Sequence, residues 1–280
     1  MTADYTDLQL LHELEPVVET LVDRHMSMRK DWNPHDYIPW KEGKNYYALG
    51  GQDWDPDQAK LSEVAQTAMV QNLLTEDNLP SYHREIAMNM GMDGAWGYWV
   101  NRWTAEENRH GIALRDYLVV TRNCDPVELE ELRVEQVTRG FSPGQNLQGD
   151  LFAESLFDSV IYVTFQELAT RVSHRNTGRA SGCPLADQLL ARIATDENLH
   201  MAFYRNLMAA ALVAGSAHAQ DLDALKVDTR KNALPVLPKV VGMMQETVAA
   251  KGPVEAIPVC KEKAPELLKE QAAKTGWQMR

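Results

Sequence analysis

Two short segments of the chain carry a glutamate three residues ahead of a histidine. TAEENRHG (104–111) contains Glu107 and His110, and TDENLH (195–200) contains Glu197 and His200. Residues three positions apart lie on the same face of an α-helix, one turn from each other. Carboxylate and imidazole groups together are typical ligands of transition-metal ions. Each pair could therefore ligate one metal ion if its segment is helical.

A lone glutamate precedes each pair at nearly the same distance. Glu76 in LLTEDNLP stands 31 residues before Glu107, and Glu167 in TFQELATR stands 30 residues before Glu197. The midpoints of the two spans fall in GMDG and SGCP, which are turn-forming sequences. A helical hairpin folded at its midpoint brings residues equidistant from the turn to the same level. Each half of the chain is thus predicted to set one glutamate beside one Glu-x-x-His pair.

Together these six side chains form the ligand set of carboxylate-bridged di-iron and di-manganese four-helix bundles, in which two helices each give a Glu and two give Glu-x-x-His. Four carboxylates offset the charge of two divalent ions. A single Glu-x-x-His pair arises easily on a helix surface, and such a pair alone would be weak evidence. Two pairs with matched upstream glutamates predict a two-metal centre held by Glu76, Glu107, His110, Glu167, Glu197 and His200.

An acid stands directly before the glutamate of each pair: Glu106 in the first segment and Asp196 in the second. A histidine that binds a metal usually donates its other ring N–H to a carboxylate or a carbonyl. By the internal symmetry we expect Asp196 to hold His110 and Glu106 to hold His200. The alternative is that both acids lie on a solvated helix face.

The rest of the chain indicates an all-α fold. Apolar spacing predicts helices over about 8–28, 60–90 with a kink or break at Pro80, 95–120, 126–138, 150–175 and 184–214. The Pro-, Gly-, Asp- and Trp-rich stretches DWNPHDYIPW and GGQDWDPDQ predict an ordered loop, and LPVLPKVVGMMQE and KEKAPELLKEQAAK predict short helices. We expect one domain over 1–280: a ferritin-like four-helix bundle core with extra flanking helices (about 8–215), and a C-terminal helical extension (216–280).

Composition narrows the classes of function. A net charge of −12 and a pI near 5.1 argue against a nucleic-acid binder and against docking to anionic membranes. The three cysteines form no CxxC pattern. The acidic N-terminus lacks the features of a signal peptide, and the best apolar run, LMAAALVAG, is too short to span a bilayer. We expect a cytoplasmic protein without a membrane span.

Five segments resemble the soluble acyl-ACP desaturases, namely the plastid stearoyl-ACP type and its actinobacterial relatives. In chain order they are DWNPHDYIP, NLLTEDNLPSY, WTAEENRHG, TFQELATRVSHRNT and ATDENLH, within about residues 20–215. The six residues found from spacing match that family's metal ligands. The resemblance implies a di-iron centre (manganese is an option in the isolated protein), O2, electrons from ferredoxin or a similar donor, and a homodimer. The implied reaction inserts a double bond into an acyl chain on acyl carrier protein, in fatty acid and lipid biosynthesis.

The resemblance also implies roles for further residues. Trp32 and Asp196 match a proposed electron route that reaches the metal through His110, and Thr170 matches a hydroxyl on the oxygen-binding side. The alternatives are a core anchor for Trp32 and a packing role for Thr170. The densest cationic cluster near the N-terminal metal half consists of Arg24, Arg29 and Lys30, which are candidates for acyl-carrier docking or, alternatively, a solvated helix end. Candidate walls of an acyl channel, or plain core residues, are Met88, Trp96, Tyr98, Trp99 and Phe165.

Some features depart from the plant members of that family. DENLH has Asn198 and Leu199 where the plant motif has two basic residues, and the C-terminal part does not visibly match. These departures leave the six metal ligands intact. They put in question the shape of the acyl channel, the docking of acyl carrier protein and the fit of the electron donor. Two alternatives therefore stay open: another di-iron oxygenase, such as a hydroxylase or N-oxygenase, and a catalytically inactive relative that binds acyl carrier protein.

Overall fold

The computed structural model describes residues 7–140, 156–218 and 264–275, with a few single positions between 239 and 250. Across these residues the regular structure is helical, which confirms the all-α prediction. The α-helices are α1 (Asp7–Met28), α2 (Glu63–Asp77), α3 (Leu79–Met90), α4 (Gly94–Val120), α5 (Pro126–Arg139), α6 (Leu156–Ala180), α7 (Pro184–His218) and a further helix, Ala264–Thr275. Short 3-10 turns lie at Pro34–Asp36, Trp40–Glu42, Tyr47–Leu49 and Pro56–Gln58.

The helix boundaries follow local sequence chemistry. Pro80 does not kink one long helix; it is the second residue of α3, where a missing N–H costs nothing, and Asn78 separates α3 from α2. Gly91 and Gly182 adopt positive φ angles of 77° and 64° in the connections α3–α4 and α6–α7. Both predicted turns are therefore confirmed. The Gly182 turn joins α6, which carries Glu167, directly to α7, whereas the Gly91 turn joins α3 to α4, and Glu76 lies one helix earlier, on α2.

The buried apolar residues form two clusters at different levels of the bundle. Along α4, Trp96 to Trp103 belong to the first cluster and Ala113 to Leu118 to the second. Along α7 the order is reversed, because Leu189 to Ile193 belong to the second cluster and Phe203 to Leu207 to the first. Helices α4 and α7 therefore run antiparallel. The layer between the two clusters is where the predicted ligands lie on both helices.

The loop between α1 and α2 is held by a buried arginine at the end of α4. The Arg122 guanidinium donates to the carbonyls of Lys44, Asn45 and Asp53 and to Gln58 Oε1. It also lies over the Tyr46 ring, 4.1 Å from the centroid. These contacts explain why the Pro- and Gly-rich stretch between residues 44 and 58 is ordered.

By compactness the chain divides into two units, Met1–Ala214 and Gly215–Arg280. The first contains the bundle helices and the second contains the helix Ala264–Thr275. Residues 150–155 of the helix predicted over 150–175, and most of the short helix predicted over 234–246, lie outside the described residues. The domain assignment made from the sequence stays a prediction. None of the helices in the described part combines the length and apolarity needed to cross a bilayer.

Candidate metal centre

The six predicted ligands converge in the interior of the bundle, and all six are buried. Glu76 comes from α2, Glu107 and His110 from α4, Glu167 from α6, and Glu197 and His200 from α7. Their donor atoms fall into two overlapping groups, each with its atoms within 4.8 Å of one another. One group is Glu76, Glu107, His110 and Glu197, and the other is Glu107, Glu167, Glu197 and His200.

Glu107 and Glu197 belong to both groups because each lies between the two histidines. Glu107 Oε1 is 2.6 Å from His200 Nδ1, and its Oε2 is 3.6 Å from His110 Nδ1. Glu197 Oε1 is 3.3 Å from His110 Nδ1, and its Oε2 is 3.9 Å from His200 Nδ1. Each histidine is thus nearer to the glutamate of the opposite helix than to the one three residues before it. The spacing alone had paired each histidine with its own glutamate.

The remaining two glutamates lie at opposite ends of this arrangement. Glu76 Oε2 is 3.8 Å from His110 Nδ1, and Glu167 Oε2 is 3.5 Å from His200 Nδ1. The residues can hold metal, because the atoms that face the centre are buried and none makes a well-directed hydrogen bond, although Glu107 Oε1 and His200 Nδ1 lie 2.6 Å apart. The atoms that face the centre are Glu107 Oε1, His110 Nδ1, Glu167 Oε2, Glu197 Oε1 and His200 Nδ1. Buried polar atoms are normally satisfied, so a convergent set of oxygen and nitrogen orphans fits two transition-metal cations.

The pKa shifts of the cluster glutamates in the metal-free protein also fit a cation-binding site. Burial, together with the charges of Glu197 and Glu107, raises the pKa of Glu76, and burial with the same two neighbours raises the pKa of Glu167 well above its usual range. Burial also acts to raise the pKa of Glu107, but the nearby histidines outweigh it and leave that pKa lowered. Four buried carboxylates cannot all ionise without compensating charge. The cluster therefore holds protons that bound cations would displace.

On the outer side of His110, Asp196 Oδ2 accepts from His110 Nε2 at 3.4 Å and from Trp32 Nε1 at 2.6 Å. Arg109 donates to the same oxygen at 2.9 Å, and Arg192 pairs with the other. Burial acts to raise the pKa of Asp196, but its bond with His110 and the other partners outweigh burial and lower the pKa to about 2. The Trp32 ring is stacked beside the His110 ring at 6.2 Å. Trp32, Asp196 and His110 thus form a continuous contact chain.

On the outer side of His200, Glu106 Oε2 accepts from His200 Nε2 at 2.9 Å. The acid that precedes each Glu-x-x-His pair therefore contacts the histidine of the opposite helix. The same Glu106 oxygen also contacts His25 of α1 at 3.0 Å. Burial acts to raise the pKa of Glu106, but hydrogen bonds from His200 and His25 outweigh it and lower that pKa.

Sequence reasoning missed three residues of this centre. His25 is one, and His174 of α6, whose Nε2 lies 2.7 Å from Glu76 Oε1, is another. Trp103 of α4 is the third, and its Nε1 donates to Glu167 Oε1 at 2.8 Å. His174 follows Glu167 by seven residues, which is two helical turns, and this spacing could have revealed that the two share a face.

A small pocket, with room for about one water molecule, opens onto the carboxylate side of the centre. Its lining includes the four cluster glutamates and neither histidine, together with Thr75, Leu79, Tyr82, Gln166 and Thr170. The Thr170 hydroxyl donates to Glu197 Oε2 at 3.1 Å. The pocket and the outer partners of the histidines therefore lie on different sides of the ligand cluster.

Three of the five candidate channel walls are misplaced by the sequence reasoning. Met88, Tyr98 and Phe165 are 76%, 50% and 58% exposed and so do not line an interior channel of this chain. Tyr98 lies nine residues from Glu107 and Phe165 lies two residues from Glu167, which are spacings that point away from the ligand face of a helix. Trp96 and Trp99 are buried in the first apolar cluster, as the plain-core alternative expects.

The predicted docking cations lie at and just beyond the C-terminal end of α1. Arg24 and Lys30 are exposed, whereas Arg29 is half-buried and paired with Asp31. None of these three residues is among those that line the pocket.

Known proteins share the sequence and the fold of this chain. The sequence model of the family described as fatty acid desaturase matches residues 6–226. A Mycobacterium tuberculosis protein (strain CDC 1551 / Oshkosh) provisionally named acyl-[acyl-carrier-protein] desaturase DesA1 is 79% identical over 211 residues, covering 75% of this chain and 62% of that protein. DesA2 of the same strain, with the same kind of provisional name, is 39% identical over 224 residues, covering 77% of this chain and 78% of that protein.

A solved structure is also similar. The X-ray structure of DesA2 from M. tuberculosis H37Rv matches with a TM-score of 0.56 at 30% identity, covering 95% of this chain and 94% of that chain. This likeness confirms the predicted ferritin-like helical fold. The chain spans 62% of the length of DesA1, so the match to that relative covers only part of it.

Proposed function

This chain belongs to the fatty acid desaturase family, and we propose that it is an acyl-[acyl-carrier-protein] desaturase. The proposed reaction uses O2 and a di-iron centre to remove two hydrogens from adjacent carbons of an acyl chain in fatty acid biosynthesis. One observation carries the proposal: two carboxylate–histidine groups share Glu107 and Glu197 at the centre of the bundle. Such sharing is what a pair of carboxylate-bridged ions requires.

In this proposal Glu76 and His110 would help to hold one iron, Glu167 and His200 would help to hold the other, and Glu107 and Glu197 belong to both groups of ligands. When bound, the two ions supply the redox capacity for activating O2 against an unactivated C–H bond. Iron is proposed over magnesium or calcium because imidazole nitrogen prefers transition metals.

The chain's own residues orient the ligands and keep water away. Asp196 and Glu106 each accept a ring N–H from a histidine, which leaves the opposite nitrogen, Nδ1, with its lone pair toward the centre. Trp103 fixes one oxygen of Glu167 and leaves the other facing inward. The apolar clusters above and below the layer exclude water, which strengthens electrostatic interactions within it.

We propose that the reacting part of the acyl chain and O2 approach through the pocket on the carboxylate side. Leu79 and Tyr82 supply apolar surface there, and the Thr170 hydroxyl supplies a hydrogen-bond donor beside Glu197. Electrons would arrive on the opposite side through Trp32 and Asp196, so that donor and substrate do not compete for one entrance.

The proposed partners are acyl carrier protein bearing the acyl chain, and ferredoxin or a similar electron donor. Acyl carrier protein is acidic, and so Arg24 and Lys30 are its proposed contacts on this otherwise acidic chain, with a smaller part for the paired Arg29. A homodimer and a cytoplasmic location complete the proposal.

The test is reconstitution with Fe(II), followed by supply of ferredoxin, its reductase, O2 and acyl carrier protein loaded with saturated chains of several lengths. Mass spectrometry of the released chains should show a loss of two hydrogens. Glu197→Gln is the matched inactive variant, since it keeps the side-chain volume but removes a bridging carboxylate. Products that gain an oxygen atom would instead indicate a hydroxylase. Two bound irons with no turnover on any chain length would indicate an inactive relative.

A further inference from the structure

His25 occupies a core position on a helix that supplies none of the six proposed ligands. On α1 the buried positions run Leu14, Val18, Val22 and His25, with spacings of four, four and three residues. Such a stripe normally carries apolar side chains against the core. His25 is 4% exposed and is the one polar member of this stripe, so its imidazole needs a partner inside the protein.

That partner is Glu106, whose two oxygens have different contacts. Oε2 lies 3.0 Å from His25 Nε2 and 2.9 Å from His200 Nε2, and Oε1 accepts from Arg102 Nε at 2.6 Å. The His25 ring lies nearly parallel to the His200 ring, with centroids 5.7 Å apart and an interplanar angle of 24°. The His25 and Trp99 rings lie nearly perpendicular to each other, at 81°, with their centroids 5.0 Å apart. The imidazole is thereby fixed in both position and tilt.

The contact is a hydrogen-bond chain and not a third metal position. His25, Glu106 and His200 do place three donor atoms close together. However, the Arg102 guanidinium already neutralises Glu106, and the distances to Oε2 are those of hydrogen bonds. With two N–H groups directed at one oxygen, the His200 proton is held on Nε2. Its Nδ1 is then available beside Glu107 and Glu167.

The two outer partners of the proposed centre are therefore different. On the His110 side an indole N–H from Trp32 supports Asp196, and on the His200 side an imidazole N–H from His25 supports Glu106. We propose that His25 is a positioning residue for the metal ion on the His200 side, acting through Glu106 on the direction of the His200 Nδ1 lone pair. This inference rests on the proposed metal centre.

The test uses Co(II) as a spectroscopic probe on the full chain, in the wild type and in His25→Ala, His25→Gln and Val22→Ala. Outer partners of metal ligands typically contribute about 10- to 100-fold in affinity. We expect His25→Ala to weaken one of two Co(II) ions by that factor and to leave the other unchanged. His25→Gln, whose amide can place an N–H near the position of Nε2, should restore binding to within about threefold.

Val22→Ala removes a buried side chain one turn earlier on the same stripe, and so controls for loosened packing of α1. It should keep both ions. The Co(II) absorption band that weakens in His25→Ala should be the band that weakens in His200→Ala. The band that weakens in His110→Ala should be unchanged in His25→Ala. This assignment of the affected ion is a readout that a general packing defect would not produce.

The outcomes separate the two proposals. If the wild type binds two Co(II) ions and His25→Ala binds both with unchanged affinity and spectrum, the role of His25 is wrong and the metal centre stands. Equal losses in Val22→Ala and His25→Ala, or no rescue by His25→Gln, would also overturn the role of His25. If the wild type takes up fewer than two ions, the proposed centre fails and the role of His25 fails with it.

Discussion

Glu167→Gln should have opposite effects on the metal-free and the metal-loaded protein. Glu167 Oε1 accepts from the Trp103 indole, a bond that the glutamine carbonyl can keep. Its Oε2 is buried and has no hydrogen-bond partner. The substitution removes a buried ionisable group while preserving its shape, and so it should stabilise the metal-free protein at neutral pH. It should also weaken binding of the ion on the His200 side.

The size of the stabilisation follows from proton linkage. Burial and the charges of Glu107 and Glu197 raise the pKa of Glu167 well above 4.5. Between pH 4.5 and the folded-state pKa, the folded protein holds a proton that the unfolded chain releases, so stability falls as pH rises. Each pH unit in that window costs about 1.4 kcal/mol. The gain from Glu167→Gln therefore has a ceiling of about 3.4 kcal/mol at pH 7 and about 0.8 kcal/mol at pH 5.

Urea unfolding followed by circular dichroism measures both values, with metal removed by a chelator. Glu131→Gln is the matched control, because it makes the same chemical change at an exposed position of α5, and it should change stability by less than about 0.5 kcal/mol. In the Zn(II)-loaded protein the order should reverse, with Glu167→Gln less stable than the wild type. A metal-free variant that is destabilised at pH 7, or equally stabilised at pH 5 and pH 7, would refute the reasoning.

Three further predictions concern other parts of the chain. Loading two Zn(II) ions at pH 7 should release protons, measured in a pH-stat, and the affinity for Zn(II) should rise with pH. Burial acts to lower the pKa of His110 and His200, but the surrounding carboxylates outweigh burial and raise both pKa values. Zn(II) binding without proton release would contradict this prediction. Cys183 should react with iodoacetamide at least about tenfold faster than Cys124 at pH 8 by peptide mapping. Burial raises the pKa of Cys124 to about 12, whereas a tyrosine hydroxyl and two backbone N–H groups outweigh burial at Cys183 and lower its pKa; equal rates would be inconsistent with these environments. Arg122→Ala should destabilise the protein by about 2–4 kcal/mol and speed proteolysis between residues 43 and 58, and a variant with wild-type protease resistance would show that the loop does not depend on Arg122.

The inner part of the centre was predictable because its rules are local. A Glu-x-x-His pair shares a face through the helical repeat, whatever the helix packs against. The matched separations from Glu76 and Glu167 to the two pairs made the turn positions predictable as well. The predicted helix ends lie close to the observed ends for the same reason, since Pro80, Gly91 and Gly182 act within one turn of their own positions.

The outer contacts depend on how separate helices approach one another. His25 and Glu106 are 81 residues apart, and no repeat in the chain relates them. The cross-pairing of Glu107 with His200 is set by the offset between α4 and α7, which the spacing within either helix does not contain. Arg122 escaped notice because its partners are mostly backbone carbonyls, which any sequence would supply. Phe165 and Tyr98 were misjudged because an aromatic residue near a ligand in sequence can still lie on the opposite face of the helix.

The internal repeat relates the inner ligands but not their supports, and this difference has a chemical consequence. Each half gives a Glu, a Glu that is common to both groups of potential ligands, and a His, so the two positions offer the same types of donor atom. The outer partners of the two histidines differ. Asp196, supported by the Trp32 indole, contacts His110, and Glu106, whose side chain is longer by one carbon, is supported by the His25 imidazole and contacts His200. The pocket favours neither position, since its lining includes all four glutamates. Two ions with matching ligands would therefore differ in affinity and potential through Trp32 and His25, so asymmetry between them originates outside the repeat.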